Sequence, residues 1–325
     1  MIKKINTYTI IFLFLLTGLT FGQEYKWYKG NTHTHTTNSD GDEFPRRVVR
    51  WYLDHNYNFL VISDHDYLTE IKYLDTDEND DFILIPGEEV SDESGGKPVH
   101  LNAIGINQFV KTQHGNTFLE TLQNNINAIN AAGGIAQINH PNWRYSFNHE
   151  ILSLIKDCPL MEIYNISKDC NNYSAGGFPG MEEIWDEVLS KENLIFGVIS
   201  DDAHNYVGEF SSEKSNPGRG WIMVRAKNLT QEEIISALKR GDFYATIGII
   251  LKDLKITEKE YSLEIVPFLD AKYTTFFIGK NGKILSEEYG TNPKYIIKGN
   301  EGYVRAKVIS STGDFAITQP LILTK

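Results

Sequence analysis

The sequence predicts an α/β barrel of about seven βα units, followed by an antiparallel β-sandwich. Two observations predict it. Over residues 26–246, short apolar runs alternate with amphipathic helical stretches, the pattern of a mainly parallel sheet. Beyond Gly248 the helical period stops and short β-type runs follow one another. The expected division is a leader over residues 1–22, a barrel over 23–248 and a sandwich over 249–325.

The chain opens with Lys3 and Lys4, an apolar run over residues 10–19, and Thr20-Phe-Gly22. That order is a secretory signal peptide cleaved after Gly22. The run is too short to span a bilayer comfortably, and polar sequence follows at once. The expected product is exported, periplasmic or secreted, without stable membrane insertion.

Strands are expected to end near His35, Ser63, Val90, Ile106, Asn139, Asn165 and Ser200, and helices to cover 45–55, 117–132, 149–156, 181–192 and 234–240. Thr117-Phe-Leu-Glu120 and Thr230-Gln-Glu-Glu233 are capping boxes, and Gly133-Gly134 and Gly241 are stops. In the tail, β-type runs cover 254–257, 261–266, 274–278, 295–297, 303–309 and 316–323. Asn281-Gly282 between Phe277 and Ile284 is a type I′ hairpin signal.

The chain carries 43 acidic and 31 basic residues, for a formal charge of −12. Removing Lys3 and Lys4 with the leader takes it to −14. With no basic run or Arg-rich stripe, nucleic acid is excluded as a bulk partner. Export permits a disulfide between Cys158 and Cys170, the only cysteines. A strand expected over 160–165 separates them by more than a bridge's Cα spacing of about 6 Å.

Chemistry concentrates at the strand ends. Six of the nine histidines (His33, His35, His65, His100, His140 and His204) follow apolar runs, with acidic residues alongside. Parallel barrels build their sites at such ends. In His33-Thr-His35, residues i and i+2 project to one face and reach one ion. Asp202-Ala-His204 has the same spacing, which selects Asp202 and turns Asp201 away. For Glu88 and Glu89, parity leaves the choice open. Burying so many ionisable groups without cations is very costly. His55, His114 and His149 lack this context and are read as structural or exposed.

The run His33-Thr-His35, Ser39-Asp40-Gly41, Asp64-His65-Asp66, Gly87-Glu88-Glu89, His100, His140-Pro141 and Asp202-Ala-His204 resembles the PHP (polymerase and histidinol phosphatase) family of metal-dependent phosphoesterases. The resemblance spans residues 26–246. It implies a distorted (β/α)7 barrel holding two or three divalent ions (Zn, Mn or Fe). It further implies Glu89 as the ligand of its pair, so the set is His33, His35, Asp40, His65, Glu89, His100, His140, Asp202 and His204. Several three-metal members carry His where this chain has Asp40. Gly218-Arg-Gly-Trp-Ile222, then Leu238-Lys-Arg-Gly-Asp-Phe-Tyr-Ala-Thr246 and a sandwich, is similar to the exported, carbaryl-hydrolase-like branch.

The expected function is metal-dependent hydrolysis of a small, anionic organic phosphate. A carbon ester, carbamate or amide is the alternative substrate, and a non-catalytic binding module is the third reading. Asp64 is read as a proton shuttle or an orienting partner of His65. Arg144, Arg219 and Asn165 are read as substrate-binding residues near the mouth, since Arg suits paired anionic oxygens.

Overall fold

The computed structural model describes residues 24–74 and 81–323. The expected leader and its cleavage site lie outside them. Seven strands form the frame: β1 (Lys26–Asn31), β2 (Phe59–Ile62), β3 (Ile83–Ser94), β4 (Lys97–Ile104), β5 (Ile135–Ile138), β6 (Leu160–Asn165) and β7 (Phe196–Ser200). They are hydrogen-bonded in that order. Just past β7, Ala203 bridges in parallel to Thr34, just past β1. His35 N–H donates to the Ala203 carbonyl at 2.9 Å. The seven strands therefore return to their start at the end that carries the chemistry.

The sheet is mixed rather than mainly parallel. β4 is antiparallel to both β3 and β5. The cause is Gly95-Gly96, whose φ values of 60° and 76° suit a two-residue I′-type turn between paired Ser94 and Lys97. As a result β3 runs four residues past Val90, and Glu89 and His100 lie within strands instead of at their ends.

Among the described residues, α-helices are fewer than seven. α1 (Pro45–Asp54) follows β1, α2 (Phe118–Ala131) follows β4, α3 (His149–Leu152) follows β5 and α4 (Met181–Ser190) follows β6. α5 (Gln231–Arg240) joins β8 (Trp221–Ala226) to β9 (Phe243–Thr246), two strands the sequence reading missed. They extend the sheet antiparallel from the free edge of β1. Thr117 and Thr230 cap α2 and α5 by accepting from Glu120 N–H and Glu233 N–H. Glu120 completes its half one residue early, accepting from Asn116 N–H rather than Thr117 N–H. Ile126, Ile129, Trp185, Val188, Ala237 and Leu238 pack the helices onto the strands in one buried apolar cluster.

The tail supplies β10 (Leu251–Ile256), β11 (Glu260–Ile265), β12 (Tyr273–Gly279), β13 (Lys283–Tyr289), β14 (Lys294–Ile296), β15 (Tyr303–Ser310), β16 (Phe315–Thr318) and β17 (Leu321–Ile322). β16 pairs with β9, so β12, β13, β15 and β16 continue the first sheet across residue 248. β10, β11 and β14 form a second sheet, and both sheets contribute to a second apolar cluster around Tyr261, Leu263, Phe277 and Val308. Asn281 and Gly282 both have positive φ (60° and 67°), as the hairpin signal requires, inside a loop closed by Gly279 and Lys283.

Two buried contacts lock the tail to the frame. Gln319 donates to the Gly197 carbonyl and accepts from Gly197 N–H, both at 2.8 Å, so its amide takes the place of a neighbouring strand on β7. Arg305 forks onto Asp186 of α4 with two 2.7 Å bonds. Cys158 and Cys170 are free, buried thiols.

Candidate metal centre

Past Asn31 the chain bends at Thr32, where Asn31 Oδ1 accepts from His33 N–H at 2.9 Å, and bridges again at Thr34, and His33 and His35 share a face. Their Nε2 atoms lie 3.1 Å apart. Glu89 Oε2 is 3.2 Å from each. Asp202 Oδ1 is 3.1 Å from His33 and 3.2 Å from His35. Five of the six separations among these four donor atoms are thus 3.1–3.2 Å. Donors so spaced leave room for a cation at the roughly 2.0–2.1 Å that zinc takes to nitrogen and oxygen. The donor set fits a divalent cation.

Glu89 faces two sides. Its Oε2 also lies 3.1 Å from His65 Nδ1, while Oε1 lies 3.1 Å from His100 Nδ1 and 3.2 Å from His140 Nε2. Glu89 thus has histidines around each of its two oxygens. Asp40 gathers a third group: its Oδ1 is 3.3 Å from His204 Nε2 and 3.5 Å from His35 Nδ1, and its Oδ2 is 3.7 Å from His65 Nε2. All nine candidate ligands fall within these overlapping groups.

Local sequence explains the convergence. A Cβ on Gly41 would meet the His35 carbonyl carbon at 2.7 Å, so only glycine lets the Ser39-Asp40-Gly41 loop fold back onto His35. A Cβ on Gly87 would meet the Val61 side chain at 2.3 Å, so glycine sets β3 close against β2 just before Glu89. His140 and Asp202 have φ of 29° and 45°. Non-glycine residues there are strained, and such strain clusters at functional sites. Glu88 points the other way, accepts from Val110 N–H at 3.0 Å, and is pushed up to about 7 by burial.

A second layer fixes the first. Glu162, fully buried on β6, accepts from His33 Nδ1 (2.7 Å), Ser200 Oγ (2.5 Å), His140 N–H (2.7 Å) and Asn165 Nδ2 (2.9 Å). This leaves His33 Nε2 bare toward the cluster, the tautomer a metal ligand needs. The sequence reading missed Glu162. Its signal was a carboxylate inside the apolar run Leu160-Met-Glu-Ile.

Asp64 lies behind the cluster. Its oxygens accept from Thr36 N–H (2.7 Å), Thr36 Oγ1 (2.8 Å to Oδ2), Ser39 Oγ (2.9 Å) and Thr69 Oγ1 (2.5 Å). These bonds hold the loop after His35, and His65 is not among the side-chain partners of Asp64. Asp201 faces away from the histidines, as expected. It accepts from the backbone N–H groups of Gly218, Arg219 and Gly220 at 2.8–2.9 Å and anchors that loop. Burial pushes its carboxyl up against those bonds.

Charge is concentrated here. Burial alone would raise Glu89 and Asp202, but the surrounding histidines hold both carboxyls well below the usual range. Burial alone would lower His33 and His35, but the carboxylates outweigh it, raising His33 well above its usual value and His35 to about 9. Protons and cations compete for such a cluster.

The ligands floor a cavity of about 320 Å³. Its remaining wall is Trp143, Ser167, Asp169, Cys170, Asn205 and Ser215. The three expected substrate-binding residues are elsewhere. Asn165 is buried and donates to Asp202 Oδ2 at 3.1 Å, so it positions a ligand. Arg219 donates to the Lys214 carbonyl at 3.1 Å. Arg144 is exposed, 5.0 Å from the Trp143 ring centre. Loop position alone could not show where these side chains turn.

No family model matches the chain, and no curated protein does. Solved structures do. A two-domain protein from Bacteroides vulgatus, described as containing a predicted PHP-like metal-dependent phosphoesterase, aligns over 91% of this chain and 96% of its own at a TM-score of 0.52 and 15% identity. At that identity the likeness is one of fold, and it takes in both the cluster and the strands after it. A structure from Bifidobacterium adolescentis assigned as a metal-dependent phosphoesterase covers 57% of this chain and 89% of its own (TM-score 0.40, 16% identity). An amidohydrolase from Chromobacterium violaceum covers 57% and 93% (TM-score 0.40, 14% identity). Those two superpositions are too loose to establish a shared fold.

Proposed function

We propose that the chain is an exported metal-dependent hydrolase of small organic phosphates. The observation that carries the reading is the four-donor set of His33, His35, Glu89 and Asp202, with Glu89 turned to further histidines on its other side. Ions would sit among the donors that converge: His33, His35 and Asp202; His33, Glu89 and His140; His65, Glu89 and His100; and His35, Asp40, His65 and His204. When bound, divalent ions supply Lewis acidity and lower the pKa of water.

The protein's own groups prepare that chemistry. Glu162 fixes His33, Asn165 turns Asp202, and Asp64 freezes the loop that presents Asp40. The cavity opens over the ligands and admits the ester beside them. In the balanced reaction a water oxygen bonds to phosphorus, the ester P–O bond breaks, and the departing alcohol takes a proton.

A carbon ester, carbamate or amide is the second reading. No Lys or Arg lines the cavity among the described residues, so nothing in the wall reserves it for a phosphate. A screen of the metal-loaded mature protein separates the two. Phosphate release from monoesters or diesters, with none from carboxyl esters, supports the first reading. Carboxylate release alone overturns it.

A further inference from the structure

We infer that the unreacting part of the substrate is a neutral, hydroxyl-bearing ring, which makes the substrate a sugar monophosphate. The inference rests on the phosphoester reading above. With ligands forming the floor, the substituent must lie against the rest of the wall. That wall comes from one side, the loops after β5, β6 and β7, and consists of the Trp143 indole, the Asp169 carboxylate, the Asn205 carboxamide, whose Oδ1 accepts from Ser215 N–H at 3.2 Å, and the Ser167 and Ser215 hydroxyls, which bond each other. Carboxylate, amide and hydroxyl groups pair with O–H groups, and an indole covers the C–H face of a ring.

Asp169 carries the case furthest. Its Oδ2 accepts from Trp143 Nε1 at 2.8 Å, and no donor reaches Oδ1 among the described residues. One oxygen is spent on holding the indole and the other is left for a hydroxyl. The wall is also preformed. Asn142 Nδ2 donates to the carbonyls of Asn171 (3.0 Å) and Pro179 (2.8 Å), and Asn171 Nδ2 returns a bond to the Asn142 carbonyl (3.1 Å).

Charge and size narrow the class. Lys168, beside Asp169, is committed to Glu213 at 2.5–2.6 Å, and Arg219 to a backbone carbonyl. A second phosphate on the substrate would face the Asp169 carboxylate; among the described residues no Lys or Arg lines the cavity, and Arg144 stands outside it over the Trp143 ring. At about 320 Å³ the cavity stands at the small end of ligand sites, which run roughly 300–1,000 Å³. That suits a monosaccharide and not an oligomer.

The test is kcat/KM for the metal-loaded mature protein on glucose 1-phosphate and ribose 5-phosphate. Phenyl phosphate, O-phosphoethanolamine and fructose 1,6-bisphosphate are run beside them. One sugar monophosphate should exceed each of the other three by about tenfold or more, one charge-assisted hydrogen bond's worth. Asp169→Asn should raise KM for that sugar phosphate by about tenfold and for phenyl phosphate by clearly less, with kcat nearly unchanged, as expected of uniform binding. Asp169 is exposed, so the variant should fold, and its melting curve checks this. Phenyl phosphate or the bisphosphate turned over as well as the sugars overturns the inference and leaves the phosphoester reading standing. A preference for phosphoethanolamine does the same, since Asp169 would then meet an ammonium. No phosphate released from any of the five, with carboxylate released from an ester, overturns both.

Discussion

Replacing Glu162 with Gln keeps the shape of the residue behind His33 and removes an acceptor. The carboxylate takes five hydrogen bonds: His33 Nδ1, Ser200 Oγ and, at 3.5 Å, Gln137 Nε2 on Oε1, and His140 N–H and Asn165 Nδ2 on Oε2. An amide has one acceptor oxygen, so its NH₂ must face at least two donors in either orientation. Turned toward His33, it favours the tautomer with hydrogen on Nε2, which cannot bind a cation. Turned toward His140, it pushes against the strained backbone that presents that ligand. Loss of such an orienting partner typically weakens metal binding 10–100-fold. That is about 1.4–2.7 kcal/mol. The assay is a zinc titration against a competing chelator, with circular dichroism to confirm folding. A folded Glu162→Gln protein that binds zinc within twofold of wild type would refute the reasoning.

Three further outcomes are expected. Asp202→Asn should lose metal and hydrolysis, whereas Asp201→Asn should keep both and lose about 1–3 kcal/mol of stability, because its loop-anchoring bonds weaken. Metal analysis and urea midpoints on both variants check this, and the reverse pattern would exchange the two roles. Gln319→Ala strips the partners from the buried N–H and C=O of Gly197, at about 1–3 kcal/mol for each group, and should lower the urea midpoint without lowering metal content. Arg305→Ala leaves Asp186 buried without its cation and should cost about 3–5 kcal/mol in the same unfolding assay.

The site was more legible than the frame that holds it. Ligand side chains announce themselves because His33, His65 and His140 follow apolar runs where a core residue has no use for imidazole. Asp202 and Asp201 face opposite ways as expected, but the cause is the turn at Asp202, with φ of 45° beyond the end of β7, and not strand alternation. The direction of β4 was also written locally, in Gly95-Gly96, but the expectation of alternating βα units overrode it. β8 and β9 went unread because they join the sheet beyond β1 rather than closing the ring. Glu162 was passed over because a lone charge within an apolar strand reads as noise until the donors around it are seen. Arg144 and Arg219 show the opposite failure. Their loops reach the right end of the molecule, but side-chain direction in a loop depends on contacts such as the Lys214 carbonyl, which no spacing encodes.

The central claim is that this cluster is a multinuclear metal centre. Elemental analysis of the gently purified mature protein tests it most directly. Glu89 has histidines around both of its oxygens, so one ion cannot use the whole set. The account predicts at least two divalent cations per chain, and loss of that stoichiometry in His33→Ala. Fewer than one ion per chain, not restored by added Zn²⁺, Mn²⁺ or Fe²⁺, would contradict it.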